Sequence, residues 1–554
     1  MKIAIRASFD TFRDLRESHA YYLDKTEVIE EYLIRRFDRA ILFTRPRRFG
    51  KTLTMTMFRD FLDIRQDSSD IFAGLRIMEY PDVVKNYMNQ YPVIFLSLKE
   101  VFGDSFEAIF RNFQIAISTL YDDHSDLIES ESISTIHKDL FVKLQRQEAG
   151  RQDTIHALAL LCKMLKDKYQ KQVFVIIDEY DVPMAKAHGT PYYDQVRDMI
   201  GQMLSYICKT NSNVKGVILS GCLYAVKNST YTGVNNIIPY TVLSPIYASS
   251  IGFTDADVRK ILEDAGLSEQ YDMVAEWYDG YVFGRDKMYC PWDVLSFVRS
   301  VLDGSYDEDQ GPESYWINTS ETTLVQGLLG KNAGINESFE RLLAGECIDC
   351  TVNEFVPYHK LHENEANLWS ALVETGYLTK SVTEEMPLMP LKIPNRSIQT
   401  IFRKEVWNYF NDKVDNSYVH DLANALWAGE ISRAEGALNQ ILEATISFYQ
   451  EYHEYTYHLI LDGFFTGLGY RVQSERETGY GRSDLMILDP ARRRCLILEL
   501  KHVQKEGAME AALKEASRQI IQKKFDGQIK HEGYQTLLQY GMVFFDKRTK
   551  IAKL

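Results

Sequence analysis

Along the first half of the chain, short apolar runs alternate with longer polar-periodic stretches. AILFT (Ala40–Thr44), YPVIFLSL (91–98), QVFVIID (172–178) and VKGVILSG (Val214–Gly221) are near-continuous in Val, Ile, Leu and Phe. Such runs fit strands buried on both faces, and the stretches between them fit crossover helices. The pattern predicts an α/β domain with a mostly parallel sheet over residues 1–255. After about residue 252 the periodicity turns helical. DEDQGPE (307–313) reads as an acidic, breaker-rich loop. NLWSALVETGYLTK (367–380) reads as an amphipathic helix stopped by Gly376, with two extended pieces after it that end at LKIPN. A helical, winged-helix-like middle region over 256–435 is expected. From 436 to 554 the α/β pattern restarts: a helix near 455–468, strands at YRVQSE, SDLMILD and CLILELK, a long helix near 506–525, and a last strand at YGMVFFD.

At roughly 100–200 residues per domain, 554 residues suggest three or four domains. A chain 45% hydrophobic and 25% charged has ample material for packed cores. Seven scattered cysteines argue for a reducing compartment. The first twenty residues are too charged for a secretory signal, and no apolar run reaches the ~18 residues a membrane span needs, so a cytoplasmic address is expected. Formal net charge is −15, unevenly spread: residues 491–554 hold 14 Lys+Arg against 7 Asp+Glu, a balance of +7 that leaves −22 on the rest. A basic tail on an acidic body suits a module that contacts nucleic acid. The helical spacing of Lys514, Arg518, Lys523 and Lys524 suits a solvated helix face equally well.

One loop stands out. TRPRRFGKT (44–52) ends in Gly50-Lys51-Thr52, as a phosphate-binding loop does, but Arg45 stands where G-x-x-x-x-G-K-[ST] wants its first glycine. Such loops aim successive backbone N–H groups and a helix N-terminus at a phosphate, with lysine neutralising the β/γ charge and the Ser/Thr hydroxyl on Mg²⁺. Gly50, Lys51 and Thr52 fill those roles, and the N–H groups from Arg47 onward, through Arg48 and Phe49, are still available. Arg45, Arg47 and Arg48 add positive charge for phosphates or for acids elsewhere. The strand VFVIID then ends in Asp178-Glu179. A carboxylate at that position can hold the Mg²⁺ shell, and the adjacent glutamate can polarise an attacking water.

The second chemical signal lies near the C-terminus, in SDLMILDPARRRCLILELKH. Asp484 opens one strand and Glu499-Leu500-Lys501 closes the next. Alternation along a strand puts Glu499 and Lys501 on one face and Leu500 on the other. A glutamate and a lysine on one face of an otherwise apolar strand form the D…E-x-K arrangement of a metal-dependent nuclease. Asp484 and Glu499 would hold Mg²⁺ or Mn²⁺, and Lys501 would position or deprotonate water.

TRPRRFGKT, IDEYD and NNIIPYTVLSPIYASSIGFTDADV, with WYDGYVFG, YWINTS and LWSALVETGYLT, resemble the AAA-ATPase-like family of bacterial proteins. In that family a P-loop domain is joined to a C-terminal PD-(D/E)XK nuclease-like, restriction-endonuclease-like α/β domain. The resemblance covers most of the chain and makes RPRRFGKT the family's ordinary loop. It implies metal-site support from Glu477, Glu454 or His458, a helical Gln519, and Ser483 in place of the usual proline. One departure follows the fourth strand. The family's G-x-x-R-x-x-K is Gly221 to Lys227 here, with Tyr224 at the arginine. The lone Cys347-Ile348-Asp349-Cys350, followed by His359 and His362, is set aside as a coincidental pair.

The expectation is therefore an ATPase and Mg-dependent nuclease. ATP would be held by residues 47–52 and Asp178, with Mg²⁺ at Thr52 and Asp178 and Glu179 acting on water. Asp484, Glu499 and Lys501 would cut DNA under nucleotide control, in a nucleotide-dependent homo-oligomer. The alternative is a STAND-like, nucleotide-switched binding protein with an inactive nuclease fold.

Overall fold

The computed structural model describes the chain apart from residues 1–3, 7, 8, 10, 36, 37, 210, 225–233, 308–310, 317–337, 340, 344, 362, 382–387, 412, 413, 446–453, 479, 480 and 524–532. Two compact units emerge, each discontinuous in sequence: Met1–Tyr306 with Cys350–Met389, and Asp307–Asp349 with Pro390–Leu554. Residues 256–435 are thus shared between the two.

The main sheet of the first unit is made of β1 (Ala40–Thr44), β2 (Val93–Ser97), β3 (Val173–Asp178), β4 (Val214–Gly221) and β5 (Ile238–Tyr240). They pair in parallel in the order β2-β3-β4-β1-β5. Every residue of β1 and β3 is buried, which is why neither shows polar alternation. β5 is short, contains Pro239, and is absent from the sequence reading. Thr44 pairs with Gly221 and Ile177 with Leu219, so β1, β3 and β4 end along one edge of the sheet. In open α/β sheets that carboxyl edge is where ligands bind. Helices α1 (Lys51–Leu62), α2 (Arg151–Tyr169) and α3 (Tyr193–Cys208) belong to the same unit. Helix α4 (Glu365–Glu374) also packs in this unit, and Asn367 through Glu374 are all buried. The amphipathic reading of that helix is therefore corrected: Asn367, Ser370 and Glu374 are held inside by hydrogen bonds and do not form a solvated face.

The second unit builds helices α5 (Arg396–Asn411), α6 (Asn416–Ala428), α7 (Ile431–Thr445) and α8 (Glu454–Gly467) before a mixed sheet. Its strands are β6 (Arg471–Thr478), β7 (Gly481–Asp489), β8 (Arg494–His502), β9 (Thr536–Phe545) and β10 (Arg548–Lys553), hydrogen-bonded in that order, with helix α9 (Met509–Lys523) between β8 and β9. Only β8 and β9 run parallel. Leu496, Leu498 and Leu500 of β8 join one core with Leu438 of α7 and Phe464 of α8. Cys495 and Ile497 face the other way, against Ile520 of α9. Each such leucine, once buried, contributes about 1.5–3 kcal/mol. The sequence reading missed β10, the edge strand. Its Thr549 and Ile551 N–H groups donate to Asn439 Oδ1 (2.8 Å) and Glu435 Oε1 (2.7 Å) of α7, which closes an edge otherwise open to further pairing.

Candidate functional sites

Between β1 and α1 the chain turns in six residues, 45–50. Gly50 caps α1 at φ 96°, a left-handed conformation that glycine adopts without strain. No side chain caps α1, so the N–H groups of its first turn have no partner within the helix, the arrangement that receives a phosphate. Buried Lys51 donates from Nζ to the carbonyls of Arg45 (3.1 Å) and Pro46 (3.2 Å) and lies 3.7 Å from Cys222 Sγ. Burial works against its charge, but Cys222, Glu179, Asp181 and Asp178 together hold the ammonium above its ordinary pKa. Thr52 Oγ1 donates to Asp178 Oδ2 at 2.7 Å, and the Ser220 hydroxyl donates to Oδ1. Burial raises the Asp178 carboxyl pKa, with the Ser220 bond opposing. Glu179 follows at φ 53°, half-buried, its N–H donating to Ser220 Oγ at 3.3 Å. Thr52, Asp178 and Lys51 are thus brought together at the strand ends.

The absent first glycine has a structural counterpart. Arg45 is fully buried and donates to the carbonyls of Thr44 (2.8 Å), Tyr240 (2.9 Å) and Tyr247 (2.6 Å). Burial lowers its pKa to about 10, with Glu374 offsetting part of the loss. The expectation that Arg45 faces phosphates or pairs directly with an acid is corrected: backbone carbonyls take its guanidinium. Phe49 is buried against Tyr281 and Phe283, ring centroids 5.1 Å away in each case. Arg47 is half-buried; Arg48 is exposed, at φ 67°, with its guanidinium 4.1 Å from the Trp292 ring centre.

Two further buried carboxyls, which the sequence reading gave no role, border this site, and so does Tyr224. Asp181 accepts from the N–H groups of Cys222 and Leu223 (both 2.9 Å) and from Tyr358 Oη (3.1 Å); burial first and Glu179 second raise its pKa to about 6. Glu374 Oε2 accepts from Thr44 Oγ1 at 3.1 Å, and burial raises that carboxyl pKa to about 8. The available signal was a glutamate inside an apolar helix just ahead of a glycine. Tyr224, at the family's arginine position, is buried, its hydroxyl 3.4 Å from the Val234 carbonyl. Lys227 lies outside the described residues.

In the second unit the Leu485–Leu498 pair sets the register, so Asp484 and Glu499 are the next residues across β7 and β8. By alternation both belong to the α9 side of the sheet, as does Lys501. Glu499 is buried. Asp484 Oδ2 accepts from the Leu500 N–H at 2.7 Å. Of the two residues expected from the preceding helix, Glu454 reaches the charged group: Oε1 is 3.7 Å from Lys501 Nζ and Oε2 accepts from the His502 N–H at 3.1 Å. Burial raises the Glu454 carboxyl pKa against the pull of Lys501. His458 Nε2 instead lies 2.8 Å from the backbone oxygen of Asp484. Gln519 is half-buried on α9, while the side chains of Glu477 and Ser483 lie outside the described residues, as do His362 and the His359 side chain.

Among the described residues no group of three or more His, Cys, Asp or Glu is placed to hold a metal. Two carboxylates still fit Mg²⁺, which takes one or two from protein and the rest of its oxygens from water and substrate phosphate. Nor is any described helix long and apolar enough to cross a membrane.

A parallel sheet with a lysine-bearing loop at its carboxyl edge, and a mixed sheet with two carboxylates on one face, are consistent with a P-loop fold and a nuclease-like fold. Comparison agrees: residues 6–231 match the family model described as predicted AAA-ATPase, and residues 452–554 match that of the PD-(D/E)XK nuclease superfamily. The chain is also similar to an uncharacterized protein in the vnfD 5'region of Azotobacter chroococcum mcd 1, at 23% identity over 499 residues, 86% of each chain.

Proposed function

We propose that the chain binds and hydrolyses Mg·ATP at the 45–52 loop, and that its nucleotide state governs metal-dependent phosphodiester cleavage of DNA by residues 436–554. The observation that carries the nuclease reading is the placement of Asp484, Glu499 and Lys501 on one sheet face, in a domain with a basic tail. There the two carboxylates would bind a divalent ion, which supplies charge stabilisation at the scissile phosphate. Lys501, steadied by Glu454, would orient the attacking water and share its proton. At the loop, an incoming phosphate would take over the Lys51 ammonium from the Arg45 and Pro46 carbonyls. Thr52 and Asp178 would hold the Mg²⁺ shell, with Glu179 beside the water.

Cleavage by the purified full chain tests this reading, with linear, supercoiled and single-stranded DNA and with RNA, in Mg²⁺ or Mn²⁺, with and without ATP. Cutting of DNA that disappears in Glu499→Ala and changes with ATP supports it. Buried Tyr224 favours a second reading, in which nucleotide is held as a switch for self-association and the C-terminal domain grips its partner without cutting. Nucleotide binding with no cutting, and a molecular mass that differs between ADP and ATP, would select that reading.

A further inference from the structure

Residues Cys350–Met389 are folded into the first unit, yet the chain on either side of them belongs to the second. Within the first unit this segment touches each strand end of the nucleotide site. Phe355 packs edge-on to Tyr224 beyond β4, ring centroids 5.6 Å apart. Tyr358 donates to Asp181 beyond β3. Glu374 accepts from Thr44, the last residue of β1. Gly376, at φ 87°, lies so close to Pro46 that a Cβ there would sit 2.7 Å from the proline Cβ. Two of these contacts run through buried carboxyls whose second oxygens, Asp181 Oδ1 and Glu374 Oε1, have no hydrogen-bond partner among the described residues.

We infer that the segment bearing Phe355, Tyr358, Glu374 and Gly376 is a strap that positions the phosphate loop and Asp181 and carries the state of that site along the chain into the unit holding Asp484, Glu499 and Lys501. The inference rests on the reading that residues 45–52 bind Mg·ATP, and it names the physical path of the proposed control. Tyr358, Glu374 and Gly376 are positioning residues, acting through Asp181, Thr44 and Pro46.

Hydrogen exchange of the full chain, with and without Mg·ATP, tests it, alongside fluorescent-nucleotide binding. In the wild type, exchange over 350–389 and over 484–501 should change roughly fivefold or more on adding Mg·ATP, the lower end of ordinary coupling between sites. Tyr358→Phe, which removes a single hydroxyl outside the loop, should still bind nucleotide while losing the change over 484–501. Bound nucleotide with changes confined to 40–60 and 173–224 would overturn the strap and leave the binding reading standing. So would a variant that transmits the change as the wild type does. No nucleotide binding in the wild type would overturn both.

Discussion

The two sites are built from different materials. The phosphate loop offers mainly backbone N–H groups and one helix end, so its requirement is a shape, and more than one sequence can impose it. Here the shape is imposed by side chains: Arg45 ties three carbonyls, Phe49 fills an aromatic pocket and Pro46 abuts Gly376. The carboxylate site offers side chains at fixed register positions, and nothing else in the sheet can replace them. A site made of backbone tolerates departures from its motif, whereas a site made of side chains does not.

The sharpest way to break that contrast is at Glu499. Glu499→Ala should lower DNA cleavage by more than about 100-fold, beyond what even the outer partners of a metal ion usually contribute, with nucleotide affinity unchanged. A plasmid-nicking assay beside nucleotide titration measures both. Lys51→Ala comes next. Loss of a charged hydrogen-bond donor to phosphate is worth about 1.5–3 kcal/mol, so Mg·ATP should bind about 10- to 100-fold more weakly. Equal affinity in wild type and variant would mean that the loop is not the nucleotide site.

Arg45→Gly restores the general motif and is the direct test of the loop's construction. If glycine were what the loop lacked, the change would be neutral or helpful. Three buried carbonyls would instead lose their donor, so a stability loss of about 3 kcal/mol or more is expected, read as a lower denaturant midpoint. A variant as stable as the wild type would show that the side-chain clamp is dispensable.

The strands of the first sheet were legible because burial on both faces leaves an unbroken apolar run. The carboxylate face of β8 was legible because Glu499 and Lys501 interrupt such a run with period two. Three things left no such mark. β5 is three residues long with a proline, and β10 has only Ile551 and Ala552 as apolar residues, side by side between Lys550 and Lys553, so neither stands out. Arg45 reads as charge, because a sequence does not show which carbonyls surround a guanidinium. Glu374 and Tyr358 sit more than 300 residues after the loop in the chain, and only the fold puts them beside Thr44 and Asp181.

Glu374 also gives a pH signature. Its carboxyl pKa is raised from an ordinary 4.5 to about 8, so between those values the folded chain keeps a proton that the unfolded chain has lost. Folding stability should therefore fall as pH rises through that window and level off above it. Glu374→Gln removes the titration, so the wild type should lose stability relative to the variant from about pH 4.5 to about pH 8 in paired denaturant melts. A constant difference across the window would mean that Glu374 does not carry the buried proton.

The smallest effect is expected at Arg48, the loop arginine that escapes the clamp. Its guanidinium rests on Trp292 in the open, where such a contact is worth about 0.5–1 kcal/mol. Arg48→Ala should cost no more than that in a melt. Its N–H survives the substitution, so a loop that binds phosphate through backbone should lose only a few-fold in Mg·ATP affinity, less than Lys51→Ala loses. Nucleotide titration of the two variants side by side decides it. A loss at Arg48 as large as that at Lys51 would mean that the exposed guanidinium swings from Trp292 onto phosphate, and the loop would then depend on side chains as much as the carboxylate site does.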